Sequence, residues 1–110
     1  MDKVNIHQKF SLFSEYWSPR IVGELNGQYV KLVKVRGEFV WHRHDNEDEL
    51  FLVVKGRLQM QFRDRHVWIG EGERLIVPKG VAHRPAAPDE AHVLLCEPKS
   101  TLNTGNIRNE

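Results

Sequence analysis

The sequence predicts an all-β domain, a barrel or sandwich of short strands preceded by one short helix. From Ser18 and Pro19 onward, short segments rich in Val, Ile, Leu, Phe and Tyr follow one another, and each ends at a glycine or a polar turn. This spacing is typical of antiparallel strands. The length of 110 residues fits a single domain, 1–110. We expect a barrel core at about residues 20–97 and a polar C-terminal tail at 98–110.

The individual elements follow from local signals. Asn5 is a suitable N-cap, and Ile6, Phe10 and Phe13 follow at helical spacing, so a short helix is predicted at residues 5–13. Asn26 and Gly27 predict a tight hairpin, because both residues tolerate positive φ. Strands are predicted at 21–25, 28–35, 38–44, 49–55, 57–63, 65–69, 74–77, 82–86 and 91–97.

Charge and composition exclude several classes of protein. Sixteen Lys and Arg residues against fifteen Asp and Glu residues give a net charge of +1, so no charge excess directs the chain to nucleic acid or to an anionic membrane. The longest apolar run, 50–54, is far shorter than the ~20 residues of a membrane helix. The first residues hold no secretion signal, and the single cysteine, Cys96, fits a reducing compartment. We therefore expect a cytoplasmic protein.

The stretch around two histidines predicts a metal site. His42 and His44 are two residues apart, so in a strand they point to the same face. If residues 45–48 form the loop of a hairpin, His44 lies opposite Glu49 and His42 lies opposite Phe51, and opposed residues also share a face. Two histidines at this spacing are common by chance and often bind nothing, but the position of Glu49 favours a ligand set for a metal of the zinc type.

A second segment supplies a third imidazole. Pro78 presets φ for the first corner of a turn, and Gly80 supplies conformational freedom at its end. The chain therefore reverses and delivers His83 onto a new strand.

These segments resemble the two motifs of the cupin superfamily. The matching residues are Gly37, His42, His44, Glu49 and Gly56 in the first motif and Gly72, Pro78, Gly80 and His83 in the second. Two positions depart from the pattern: Gly37 lies one residue nearer to His42 than usual, and Ala87 stands where an asparagine often ends the second motif. The resemblance implies a double-stranded β-helix, or jelly-roll barrel. It also implies one divalent transition metal (Mn, Fe, Ni, Co or Zn) bound by His42, His44, Glu49 and His83.

The resemblance leaves the reaction open. It favours a metal-dependent enzyme that acts on a small polar or sugar-like substrate, as an isomerase, an epimerase or a dioxygenase. The alternative is a non-catalytic barrel that binds a small ligand or a metal. Six-coordinate binding would leave metal positions open for substrate, whereas tetrahedral zinc would close the site. No separate catalytic acid or base is identified in the sequence.

The expected hairpin is apolar on both faces, which predicts a homodimer. The register places Val40, Phe51 and Val53 on the metal face and Phe39, Trp41, Leu50, Leu52 and Val54 on the other. A strand pair that is apolar on both sides requires cover on both sides, one from a second sheet and one from a partner subunit. Three tryptophans are expected to anchor the core or an interface: Trp17, Trp41 and Trp68.

Overall fold

The computed structural model describes residues 1–105 and the backbone of residues 107–108. This part of the chain forms one short helix and nine strands, which confirms the all-β prediction. The elements are α1 (Ile6–Phe10), β1 (Arg20–Leu25), β2 (Gln28–Glu38), β3 (His42–Arg43), β4 (Glu49–Lys55), β5 (Leu58–Gln61), β6 (His66–Ile69), β7 (Arg74–Val77), β8 (Arg84–Pro98) and β9 (Ile107–Arg108).

The helix α1 begins at the predicted cap but is shorter than expected. The Asn5 side chain accepts a hydrogen bond from the Gln8 amide at 3.0 Å. The helix ends at Phe10 because the Ser11 hydroxyl donates to the Gln8 carbonyl, an arrangement that competes with helix extension. Phe10 is buried and stacks on His92, with ring centroids 4.5 Å apart. Among the described residues no helix is long and apolar enough to span a membrane.

The strands form a jelly-roll barrel built around β2 and β8. The main sheet has the order β1-β2-β8-β4-β7, and β5 pairs with both β6 and β8. On one edge, β8 pairs with β2 along most of its length, from Ala86 to Pro98. On the other edge it pairs first with β5, at 84–86, and then with β4, at 92–96. One long strand therefore connects β5 with the main sheet. The turn at Asn26 and Gly27 has φ of 49° and 77°, which confirms the predicted hairpin.

Three of the predicted strands were wrong in their extent. The predicted strands 82–86 and 91–97 are one continuous strand, β8, because residues 88–90 lie opposite an irregularity in β2 between Val35 and Gly37. A proline without an N–H group is tolerated there, because no ladder hydrogen bond is required of it. The predicted strand 38–44 is interrupted at 39–41, so only His42 and Arg43 form β3.

The predicted hairpin between the histidine strand and β4 is also wrong. Glu49 pairs with Val77 rather than with His44, and Phe51 pairs with Leu75 and Leu95 rather than with His42. A strand has only two edges for hydrogen bonding, and β7 and β8 occupy both edges of β4. Residues 45–48 therefore carry the chain from β3 across to the main sheet instead of reversing it within one sheet.

The segment after β8 lies against the barrel. Thr101 is buried, and the Ser100 hydroxyl donates to Glu47 at 3.0 Å. β9 pairs with β3 in a two-stranded sheet. Residues 106, 109 and 110 of the predicted tail lie outside the described residues.

The barrel interior holds the core, and β4 shows how its faces divide. Glu49, Phe51 and Val53 are buried, whereas Leu50, Leu52 and Val54 between them are partly exposed. This alternation confirms the predicted faces of β4. Phe39 was assigned to the wrong face: its ring centroid lies 5.4 Å from that of His42. Residues 39–41 are outside a strand, so the alternation of a strand does not apply to them.

The homodimer stays a prediction, carried now by the outer face of the main sheet. Leu50 pairs with Ile76 and Cys96 there, and Ile76 is 45% exposed. We expect light scattering to give about 26 kDa, twice the 12.9 kDa mass of the chain, because covering this apolar face stabilises a pair of chains. Ile76→Lys should shift the mass toward one chain, whereas the exposed control Leu12→Lys should not. A mass of one chain for the wild type at micromolar concentration would contradict the prediction.

Candidate metal centre

Three histidines and one glutamate meet inside the barrel. His42 is the first residue of β3, His44 follows that strand, Glu49 is the first residue of β4 and His83 directly precedes β8. All four side chains are buried, and His83 has no exposed surface. The structure therefore brings together every residue of the predicted ligand set, although from strands that do not pair as the sequence suggested.

The four side chains are close enough to surround one ion. One ligand atom from each residue can be chosen so that all lie within 4.8 Å of one another. Glu49 Oε1 lies 3.2 Å from His44 Nε2 and 3.7 Å from His83 Nε2. Metal bonds of about 2.0–2.2 Å place neighbouring ligand atoms roughly 3 Å apart and opposite ones roughly 4 Å apart. The two distances from Glu49 Oε1 fall in this range, and the full set, within 4.8 Å, is slightly wider.

Backbone contacts fix two of the imidazoles in orientation. His42 Nδ1 lies 2.8 Å from the Val40 carbonyl, and His83 Nδ1 lies 2.9 Å from the Val81 carbonyl. A carbonyl only accepts, so each Nδ1 carries the proton and donates it. The lone pair of each imidazole is then on Nε2, which is the arrangement that metal-binding histidines require.

Backbone hydrogen bonds hold the two motifs together. His42 donates its amide to the His83 carbonyl at 3.1 Å, and His83 donates to the His42 carbonyl at 2.9 Å. The Gly80 amide donates to the His44 carbonyl at 2.7 Å, and Gly80 has a φ of 81°. A residue with a Cβ would be strained at that φ. The glycine of the second motif thus lets its turn reach the histidine strand of the first.

Electrostatics keep the cluster in the state that binds a cation. Burial and the neighbouring His83 lower the pKa of His42 to about 4, so this imidazole is neutral at pH 7. Burial alone would raise the pKa of Glu49, but contacts with His44, His83 and Glu97 lower it well below its usual value. Glu49 is therefore ionised. Neutral imidazoles and a charged carboxylate are the protonation states required of ligands.

A second buried carboxylate touches the cluster. Glu97 is 2% exposed, and its Oε1 lies 2.8 Å from Lys31 Nζ. Its carboxyl group also contacts that of Glu49. Burial first, and then the charge of Glu49, raises the pKa of Glu97 to about 8, although Lys31 opposes the rise. Glu97 thus connects a ligand of the site to a nearly buried lysine.

Sequence reasoning missed Glu97 and Lys31, although a signal was present. Ala91, Val93, Leu95 and Glu97 alternate along β8 and are all buried. An acidic residue at an inward position of an apolar strand requires a partner. The sequence shows this pattern, but that Lys31 is the partner of Glu97 depends on the pairing of β8 with β2.

A small cavity adjoins the cluster. It has a volume of about 50 Å³, and its lining includes the ligand residues His42 and Glu49. Trp17 and Phe39 stack at its wall with ring centroids 5.0 Å apart. Trp17 was expected to anchor the core or an interface, and the structure places it at this cavity. Two ligand residues therefore face a space that a small molecule can enter.

The donor set fits a divalent transition metal. Three imidazole nitrogens and one carboxylate oxygen suit manganese, iron, cobalt, nickel or zinc, and no thiolate lies in the cluster to favour copper(I). His83 Nε2, His44 Nε2 and Glu49 Oε1 are buried without a hydrogen bond of good geometry. Buried polar atoms without partners are costly. A shared cation would satisfy all three atoms.

Comparison with known proteins places the chain in a family. A sequence profile of the cupin domain matches residues 29–96. The uncharacterised protein YdbB of Bacillus subtilis (strain 168) is 38% identical over 64 residues, which are 57% of this chain and 57% of that protein. The matched part thus spans little more than half of that relative.

Two crystal structures are similar over most of the chain. A cupin-2 domain containing protein from Shewanella frigidimarina NCIMB 400 has a TM-score of 0.86 and 48% identity, over 87% of this chain and 94% of that one. Protein NMB1881 from Neisseria meningitidis has a TM-score of 0.81 and 33% identity, over 89% of this chain and 100% of that one. Together with the jelly-roll barrel and the motif glycine described above, these matches show that the chain belongs to the cupin family.

Proposed function

We propose that this cupin binds one divalent transition metal through His42, His44, Glu49 and His83 and acts as a metal-dependent enzyme on a small molecule. The observation that carries the proposal is the position of the cavity, which opens on His42 and Glu49. A purely structural metal would be enclosed by protein on all sides. Here one side of the cluster faces space, which supports an open coordination position.

Each residue of the site would have a distinct role. A bound ion would supply Lewis-acid activation of a substrate oxygen or, if redox-active, chemistry with dioxygen. His42 and His83 hold their Nε2 atoms toward the centre through the carbonyls that fix Nδ1. Glu49 contributes the negative charge of the set, and Glu97 packs behind it.

The cavity favours one of the expected reaction classes. Among the described residues that line it, the ionisable side chains are those of His42 and Glu49, and both belong to the ligand set. Isomerisation or epimerisation through proton transfer at carbon requires a positioned base. The lining offers no such group apart from the ligands, which supports a dioxygenase-type reaction.

A non-catalytic barrel that binds a small ligand is the second candidate. The same lack of an acid or base in the described lining, apart from the ligands, favours it. The two candidates share the metal and the cavity, and they differ in whether the bound molecule is changed.

The metal proposal predicts the composition of the purified protein. Protein prepared without chelator should contain about one transition-metal ion per chain, and His42→Ala or His83→Ala should contain less than about a tenth of that, because each removes one of four ligands. Elemental analysis measures both. The exposed His66→Ala is the matched control and should keep its metal. Full metal content in the two ligand variants, with their circular dichroism unchanged, would reject the ligand assignment.

Glu97 predicts an unusual pH dependence for the metal-free protein. Its folded-state pKa of about 8 lies above the ordinary 4.5, so the folded chain binds more protons than the unfolded chain between these values. The contribution of Glu97 to the free energy of unfolding should therefore fall as pH rises from 5 to 8, by an amount on the order of a few kcal/mol. His42, with its lowered pKa, contributes in the opposite direction below about pH 6.5, so the prediction concerns the difference between the wild type and Glu97→Gln. Glu97→Gln should remove this contribution, and urea titrations at several pH values measure it.

The control for this prediction is Glu24→Gln, which changes an exposed glutamate that pairs with Lys99. Its stability should follow the wild-type dependence on pH. If the curves of the wild type and Glu97→Gln run parallel from pH 5 to 8, Glu97 is not protonated in the folded protein and the assignment is wrong.

Turnover separates the enzyme from the binding protein. The iron-loaded protein should consume dioxygen in the presence of its substrate within a panel of small metabolites, and His83→Ala should not. An oxygen electrode measures uptake, and thermal shift assays on the same panel measure binding. Ligand-dependent thermal shifts without uptake or product would favour the non-catalytic candidate.

A further inference from the structure

The walls of the cavity carry information about its ligand. Thirteen residues line it, and ten of them have apolar or aromatic side chains. Val33 and Val35 come from β2, and Val93 and Leu95 come from β8. The polar side chains of the lining, apart from the tryptophan N–H, are His42, Glu49 and Asn103. Two of these three polar side chains therefore belong to the ligand cluster.

Such a lining is unfavourable for a sugar. Every hydroxyl that leaves water without a partner costs roughly 1–3 kcal/mol, and a sugar brings several. Trp17 Nε1 is not available to a ligand, since it donates to the Arg36 carbonyl at 3.0 Å. A molecule with one polar end and an apolar body matches the walls better than the polar or sugar-like substrate expected from the sequence.

The net charge of the metal-bound site indicates which charge the polar end of the ligand carries. A divalent cation with three neutral imidazoles and the Glu49 carboxylate leaves one net positive charge. Among the residues whose side chains the structure describes, no lysine, arginine or aspartate lines the cavity, and the Lys31 and Glu97 pair lies outside the lining. A ligand with a single negative charge would therefore balance the site.

We propose that the cavity binds a short-chain monocarboxylate, with its carboxylate at the end formed by His42 and Glu49 and its apolar body against Val33, Val35 and Leu95. This inference rests on the proposed function, since the metal provides the positive charge. It names the class of substrate or ligand that the site accepts.

The size of the cavity sets the length of the chain. A volume of about 50 Å³ accommodates roughly three to five water-sized groups. A carboxylate takes up about two of these groups, which leaves room for an apolar body of about one to three carbons. Longer chains would have to displace the aromatic wall at the cavity.

That wall is held firmly. Trp17 has a φ of 60°, a conformation that is costly for a bulky residue. Its amide donates to the Lys34 carbonyl at 2.9 Å, and its ring stacks on Phe39. Several contacts thus fix the indole in place. A preformed wall of this kind selects ligands by length.

The test is calorimetric titration of manganese-loaded protein, kept free of dioxygen, with acetate, propionate, butyrate and hexanoate. Each added methylene up to butyrate should strengthen binding about fourfold, which corresponds to about 0.8 kcal/mol per buried CH₂. Hexanoate should bind no more tightly than butyrate. Erythritol, a polyol with as many carbons as butyrate, should bind more than tenfold more weakly than butyrate.

A pair of matched substitutions tests the wall itself. Val35→Thr keeps the shape but places a hydroxyl at the cavity, and it should weaken butyrate at least threefold while leaving acetate within twofold. Val54→Thr makes the same change on the outer face of β4 and should alter neither. If Val35→Thr fails to fold, the wild-type series alone decides.

The outcomes separate this inference from the proposed function. Equal affinity for acetate and butyrate in protein with a full metal complement overturns the inference and leaves the metal site standing. Erythritol binding as tightly as butyrate does the same. A protein that takes up no metal overturns both, and elemental analysis identifies that case. A rising series with the expected plateau supports the inference.

Discussion

The reciprocal backbone hydrogen bonds between His42 and His83 are the constraint on which the centre of this molecule depends. They join a two-residue strand to the start of the longest strand of the barrel, so the two motifs, far apart in sequence, share one ladder position. Hydrogen bonds between backbone groups set the spacing of the attached side chains to within narrow limits. The backbone therefore brings the imidazoles together, and most of the entropy cost of ordering the site arises on folding rather than on metal binding.

Burying the charge of Glu49 is unfavourable, and successive contacts with neighbouring side chains offset this cost. Glu49 has imidazoles on one side and Glu97 on the other, and Glu97 in turn contacts Lys31. Two buried carboxylates in contact cannot both be charged without a cation nearby. A bound metal would neutralise the charge of Glu49, and Lys31 would then pair with Glu97. The same cost explains why packing alone would not retain these groups, since apolar residues of similar volume would stabilise the barrel at least as well.

The sequence predicted the composition of the site better than its construction. His42, His44, Glu49 and His83 were selected by spacing and by resemblance, and the structure does bring them together. The predicted strand register, with His44 opposite Glu49, was wrong. A local rule for hairpins cannot show that both edges of β4 are occupied by distant strands. Residues that matter only through tertiary contacts, such as Glu97, could be noticed as unusual but not assigned a partner.

The cavity shows how folding and recognition are coupled in a small barrel. A chain of this length has few residues with which to build a core, so the side chains that face the cavity, such as Val35, Val93 and Leu95, are the same ones that stabilise the fold. A wall rich in hydrogen-bonding groups would lower the free energy of unfolding at the same positions. Polar recognition is therefore concentrated where the ligand cluster already carries polar atoms. An apolar ligand body with one charged end is what such a barrel can bind without weakening its own core.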